Sequence, residues 1–162
     1  MAAEPWRWDY FHLMRTLDAY HAHMPRLGTA RRPGDEPVRL VQTADMAFAP
    51  ASVAAVVPQM PGHVARIDVR LFGLFGPNGP LPLHMTAFAR ERTLHKGDRT
   101  FQAFADLFHH RLLLLFYRAW AQAQPTVSRD RPSEDRFRTY VGATFGQGSP
   151  AWFDRDAVPD DA

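Results

Sequence analysis

The chain has 162 residues, of which 46% are hydrophobic and 22% charged, with 19 basic against 17 acidic side chains. This length and composition are typical of one globular domain that buries a core. The absence of cysteine excludes disulfides, thiolate zinc sites, iron–sulfur clusters and cysteine nucleophiles. The longest apolar run, Leu112 to Tyr117, is far shorter than the roughly 18 residues of a membrane span, and the N-terminus lacks the pattern of a secretory signal. We therefore expect a cytoplasmic protein that does not insert into a membrane.

The first half of the chain combines one helix with two strands. Apolar residues from Tyr10 to His21 recur with helical period, and prolines and glycines then break the pattern in a loop. Val38 to Phe48 and Val64 to Phe72 alternate as strands do, with Gln42 the one polar residue on the apolar side of the first. Because each strand has one polar face, we expect an antiparallel sheet.

Pro50 and the residues after it predict a short helical turn from Ala51 to Val57. A longer helix follows from Leu83 and is ended by Gly97. Asp98 and Thr100 offer caps for the longest helix, which Pro125 ends. One apolar face of that helix is formed by Phe101, Phe104, Phe108, Leu112 and Leu115. Because Leu112 to Tyr117 is apolar on every side, we expect this part of the helix to be surrounded by the rest of the fold or by a partner.

The chain divides into three parts. Residues 1–124 form an N-terminal core, 125–136 a polar linker rich in proline, and 137–162 short helices with an acidic tail. Ser133 is expected to cap a helix that carries Phe137, and a last turn is expected from Ser149 through Phe153. Because the tail is acidic and almost without apolar residues, we expect the chain to be part of a longer protein. The fold class is predicted as α+β, mainly helical with a small antiparallel sheet.

The stretch "LFGLFGPNGPLPLH" at residues 71–84 is called the proline loop here. Its glycine spacing fits neither a P-loop nor a dinucleotide fingerprint, and its prolines lack N–H donors, so we expect a rigid turn instead of a phosphate site. Its apolar side chains could bind a partner or could cover the apolar helix at Leu112 to Tyr117. The candidate partner-binding or loop-anchoring residues are Phe72, Phe75, Gly76, Pro77, Asn78, Gly79, Pro80, Leu81, Pro82, Leu83 and His84.

Catalytic and cofactor motifs are scarce. His109 and His110 point about 100° apart on a helix and cannot bind one metal ion from one face, and no serine lies in G-x-S-x-G. An enzyme centred on His84, His109 and Asp106, a hydrolase or a metal-dependent enzyme, is the alternative hypothesis. Arginine pairs are interrupted by acids, which argues against a nucleic-acid module. We expect no cofactor, no metal and no small-molecule substrate.

Two long motifs nevertheless resemble a known family. The run "VRLFGLFGPNGPLPLHMT", followed by "GDRTFQAFADLFHHRLLLLFYRAW" and "DRFRTYVG", is similar to the TssG family, also called ImpH or VasB, of the bacterial type VI secretion system. The first helix, "YFHLMRTLD", fits the same family. The resemblance extends from about Tyr10 to Pro159 and corresponds to the N-terminal part of a family member.

The resemblance implies a structural role without catalysis. TssG-like subunits join TssF-like subunits in a wedge of the baseplate, and the wedge binds a TssK-like adaptor that links it to the inner-membrane complex. The expected partners of this chain are therefore TssF-like and TssK-like subunits, in the cytoplasm. On this interpretation, a proline loop that is rigid before binding suits a permanent contact, because little conformational entropy is lost on docking.

Overall fold

The structure, a computed structural model, describes residues 3–149 and 151. It divides into two compact units at the bond between Trp120 and Ala121. About 49% of it is helical, and its strands form one small mixed sheet. The predicted α+β class is therefore confirmed.

The first unit contains the sheet and the three longest helices. Asp9 caps the first helix by accepting hydrogen bonds from two backbone N–H groups, and Gly97 ends the second helix in the left-handed conformation, at a φ of 64°. Asp98 accepts a hydrogen bond from the N–H of Thr100, where the third helix begins. The elements are α1 (Tyr10–Tyr20), β1 (Val38–Gln42), β2 (Val53–Val57), β3 (Ala65–Val69), α2 (Leu83–Lys96) and α3 (Thr100–Gln122), the last of which runs into the second unit.

The sheet has the order β1-β3-β2 and is mixed. Ile67 of β3 pairs with Leu40 of β1 in parallel and with Val56 of β2 in antiparallel orientation. The prediction of an antiparallel sheet is therefore wrong for one of the two pairs. An alternating pattern indicates which face of a strand is exposed to solvent, but it does not indicate whether the neighbouring strand runs parallel or antiparallel.

The segment Ala51–Val57 is not helical. Val53–Val57 is strand β2, and Val53 pairs with Val69 at the end of β3. The prediction from Pro50 is wrong because the valines of this short segment favour an extended backbone, and pairing with β3 supplies its hydrogen bonds.

The free edge of β1 is covered by side chains of α3. The N–H of Leu40 donates to His110 Nδ1 at 3.2 Å, and the N–H of Gln42 donates to Asp106 Oδ1 at 3.0 Å. Gln102 Nε2–H donates in turn to the carbonyl of Gln42 at 2.8 Å. Residues four apart lie on one face of a helix, so these three side chains form a row along the strand and satisfy its edge.

The largest group of buried apolar side chains in this unit comes from α1, the sheet and α3. The hydroxyl of Tyr10 donates to the carbonyl of Leu113 at 2.8 Å, and burial raises the pKa of this phenol far above its usual value. Phe11 packs its ring against Phe116 and Trp120. The fully buried members include Tyr10, Leu13, Met14, Leu40, Ile67, Leu113 and Tyr117.

The second unit holds two short helices, α4 (Pro125–Arg129) and α5 (Arg136–Thr144). The segment predicted as a linker thus carries α4 and a turn of 3₁₀ helix at Pro132–Glu134. Asp135, not Ser133, caps α5, and its hydrogen bonds from Ser128 Oγ and the N–H groups of α5 hold the pKa of its carboxyl below the usual range. The turn predicted at Ser149–Phe153 lies mostly outside the described residues.

Candidate functional site

The proline loop is held to the first unit by buried polar side chains. The N–H of Phe75 donates to Gln42 Oε1 at 2.8 Å, and Gln42 Nε2–H donates back to the carbonyl of Phe75 at 2.9 Å. The N–H of Gly76 donates to Thr86 Oγ1 at 3.1 Å, and the N–H of Leu74 donates to a ring nitrogen of His109 at 3.0 Å. Three consecutive N–H groups are thereby satisfied inside the protein, which fixes the start of the loop.

The His109 ring is fully occupied by these contacts. Its Nε2 accepts from the N–H of Leu74, so the proton of the neutral ring lies on Nδ1, which donates to Asp106 at 2.9 Å. Asp106 also accepts from the N–H of Gln42. Neither ring nitrogen is available to bind a metal or to activate a nucleophile, and the Asp106–His109 pair acts as a structural link between α3, β1 and the loop.

Two glycines let the loop turn sharply. Gly76 has a φ of 102°, which L side chains rarely adopt. The N–H of Gly79 donates to the carbonyl of Gly76 at 3.1 Å, and a Cβ added at Gly79 would lie 2.5 Å from the carbonyl oxygen of Leu74. The turn therefore requires glycine at both positions, Gly76 for its backbone conformation and Gly79 for lack of space.

The candidate residues of the loop separate into a buried and an exposed set. Phe75 is buried and contacts Phe101 and His109 edge-on, with Leu81 partly buried in the same cluster. Phe72 is half exposed and stacks on Phe116 of α3 at 4.9 Å. Gly76 is buried, Pro77 and Gly79 are partly buried, and the exposed set is Asn78, Pro80, Pro82, Leu83 and His84.

The apolar face that the sequence predicts on α3 lies mostly at the surface of this chain. Phe104 is 60% exposed, Phe108 51%, Leu112 37% and Leu115 40%. These four residues, called the outer stripe here, follow the helical period and form a continuous apolar row. The rest of the fold therefore does not cover these four residues, because the inner face of α3 packs on β1 and the loop; burial by a partner stays a prediction.

Sequence reasoning missed the polar residues that build this arrangement. Gln42, Thr86 and Gln102 were not candidate residues, although all three are buried and hydrogen-bonded. The available signal was Gln42, a polar residue at an inward-facing position of a strand. A buried polar residue requires a partner, and here the partner is the backbone of the proline loop.

Neither a metal centre nor a membrane span was found in the described part of the chain. No three or more histidine, aspartate or glutamate side chains are grouped there in a way that could hold an ion. None of the described helices has the length and hydropathy that a bilayer crossing requires.

Comparison with known proteins identifies the family. A model of the family described as "Type VI secretion, TssG" matches residues 4–162. No curated protein and no solved structure matched the chain. Because the family match covers essentially the whole chain, it confirms the resemblance seen in the two motifs: the chain belongs to the TssG family of type VI secretion.

Proposed function

We propose that this chain is a structural subunit of the type VI secretion baseplate that works by binding other subunits and not by catalysis. Its partners are TssF-like subunits within a wedge and, through the wedge, a TssK-like adaptor. The complex lies in the cytoplasm and docks to the inner-membrane complex. Membership of the TssG family supports a role in type VI secretion. The outer stripe of α3 is the observation that supports a binding role.

The outer stripe has the properties of a contact surface. Its four side chains are exposed by more than a third each, and Phe104 and Phe108 touch edge-on at 5.5 Å. Phe88 of α2, 51% exposed, extends the surface through its contact with Phe101. Contiguous exposed apolar side chains mark interaction surfaces, and aromatic residues are enriched where protein interfaces are buried.

The proline loop contributes to this surface from one side. The buried contacts of Phe75 and Gly76 fix the loop before any partner arrives, and Phe72 stacks against α3. A surface that is rigid beforehand loses little conformational entropy on binding. The exposed tip of the loop, which includes Leu83 and His84, is a second candidate contact for a baseplate subunit.

The experiment is co-expression of this chain with TssF-like and TssK-like subunits from the same source, followed by size-exclusion chromatography. We expect co-elution of the wild type with the TssF-like subunit and at least a tenfold loss of complex for Phe108→Asp, because the variant places a charge in the apolar contact. Tyr20→Asp is the matched control, since Tyr20 is 80% exposed and lies on α1, outside α3 and the proline loop; its complex should survive. Circular dichroism of each variant establishes that it folds.

Retention of the complex by a folded Phe108→Asp variant would contradict the outer stripe as the contact. Failure of the wild type to co-elute with either subunit would contradict the proposed partners.

A further inference from the structure

A cavity of about 910 Å³ lies on the other side of α3, away from the proline loop. Its walls come from β1 and β3, from the loop that precedes β1, and from α3. Apolar side chains such as Val41 and Leu114 line it together with charged ones. The arginines of the cavity are Arg31, Arg39, Arg66, Arg99 and Arg111.

Positive charge exceeds negative charge in this arginine cavity. Its two carboxylates belong to Glu36 and Asp106, against five arginines, and Asp106 is already bound by Gln42 and His109. Arg66 pairs with Asp68 at 2.7 Å. Within the described residues, no carboxylate forms an ion pair with Arg39 or Arg99. In the described part of the chain, the guanidinium groups of Arg39 and Arg99 therefore have no carboxylate partner.

His110 adds a donor that has no acceptor. Its Nδ1 accepts from the N–H of Leu40, so Nε2 carries the proton of the neutral ring. The side chain is 5% exposed, and Nε2 has no hydrogen-bond partner in the described structure. Burial, and then the charges of Arg39 and Arg111, lower the pKa of His110 to about 4, so the ring is neutral at physiological pH. Because Nε2 is itself closed to solvent, its N–H does not reach a ligand in the cavity; the ring forms part of the wall beside Arg39 and Arg111.

Glu36 disfavours a ligand that carries more than one negative charge. Its Oε1 accepts from the N–H of Gly28 at 2.9 Å, while its buried Oε2 has no partner in the described structure. Burial raises the pKa of this carboxyl. A group with a single negative charge is repelled less by Glu36 than a doubly charged phosphate, and arginine pairs well with carboxylates in two-point contacts.

The cavity and the outer stripe meet along α3. Leu107, which lines the cavity, is 70% exposed and lies beside Phe108 and one turn from Phe104. We infer that the arginine cavity binds the carboxylate of an acidic side chain from the polypeptide that covers the outer stripe, with Arg39 and Arg99 as donors. This inference rests on the proposed function for its source, but the carboxylate site itself can be tested without any partner.

The test is an NMR titration of this chain with an acetylated octapeptide of alternating leucine and glutamate pairs. The readout is the ¹⁵N shift of the guanidinium groups of Arg39 and Arg99. The control peptide has glutamine in place of every glutamate, and free glutarate and inorganic phosphate are titrated separately. We expect saturable binding of the acidic peptide, at least tenfold tighter than that of the control peptide and of either free anion.

The variants separate the site from general attraction to a basic protein. Arg39→Gln and Arg99→Gln should each weaken acidic-peptide binding at least fivefold. Arg70→Gln, which removes the same charge from an exposed position outside the cavity, should leave it within twofold.

Several results would overturn the inference. Equal binding of the two peptides, or equal losses for Arg39→Gln and Arg70→Gln, would remove the carboxylate site. Stronger binding of phosphate would overturn the ligand class, and glutarate binding as tight as the peptide would overturn the polypeptide as its source. Because these titrations contain no partner subunit, failed co-elution in the baseplate experiment leaves their result unaffected and is a failure of the proposed function alone.

Discussion

In its first three turns, α3 reverses the usual arrangement of a helix in a globular protein. The inner face carries Gln102, Asp106 and His110, which are polar and shielded. The outer face carries Phe104 and Phe108, which are apolar and exposed. The inner residues are polar because an edge strand and a loop need hydrogen-bond partners there. The outer residues, in the proposed function, are apolar because another subunit covers them.

Two adjacent leucines offer the largest contrast between the faces. Leu113 is 0% exposed and Leu112 is 37% exposed. Leu113→Ala should lower the free energy of unfolding by about 3 kcal/mol, because it leaves a cavity in the core. Leu112→Ala should cost about 1 kcal/mol, since much of its side chain is already in water. Urea unfolding of the isolated chain measures both, and equal losses would show that the two faces are packed alike.

Acidification is expected to weaken the inner face by a smaller amount. The pKa of His110 falls from its ordinary value of 6.5 to about 4 in the folded protein, so the unfolded chain binds more protons between these two values. Stability is therefore complete above about pH 6.5 and is lost as the pH falls towards 4, by about 2 to 3 kcal/mol in total.

The pH prediction is checked by urea unfolding between pH 7 and 4. His110→Gln removes the titrating ring and should flatten the dependence. Glu36 has a raised pKa, so its contribution to the free energy of unfolding increases as the pH falls. Asp98 and Asp135 have lowered pKa values, so their contributions are lost only at lower pH. The difference between wild type and variant therefore isolates His110, and identical slopes would contradict its role.

The sequence predicts where α3 begins and ends, but not which of its faces meets the core. Phe104 and Phe108 show a clear apolar period, and that period is the same whether a face packs on its own chain or on a partner. The glycines and prolines predict a rigid loop, but their pattern does not indicate that the loop is attached to Gln42 and His109. The arginine cavity could not be predicted, because Arg39 of β1, Arg66 of β3 and Arg99, just before α3, are brought together only by the fold.

The smallest expected change in the free energy of unfolding is that of a substitution in the outer stripe itself. Phe104 is 60% exposed, and glutamine is a good helix former, so Phe104→Gln should change the free energy of unfolding by less than about 1 kcal/mol. The same variant should reduce binding of a dye that reports exposed apolar surface. Urea unfolding and dye fluorescence measure the two effects.

Ala105→Gln is the matched control for this change, since it introduces the same side chain one residue further along the helix. Ala105 is 3% exposed and lies in the cluster with Phe75, so glutamine would overpack that cluster and bury an amide. We expect a loss of more than about 2 kcal/mol, the upper part of what such changes cost. A loss of that size for Phe104→Gln instead would mean that the outer stripe packs against its own chain, and the case for a partner on α3 would then fail.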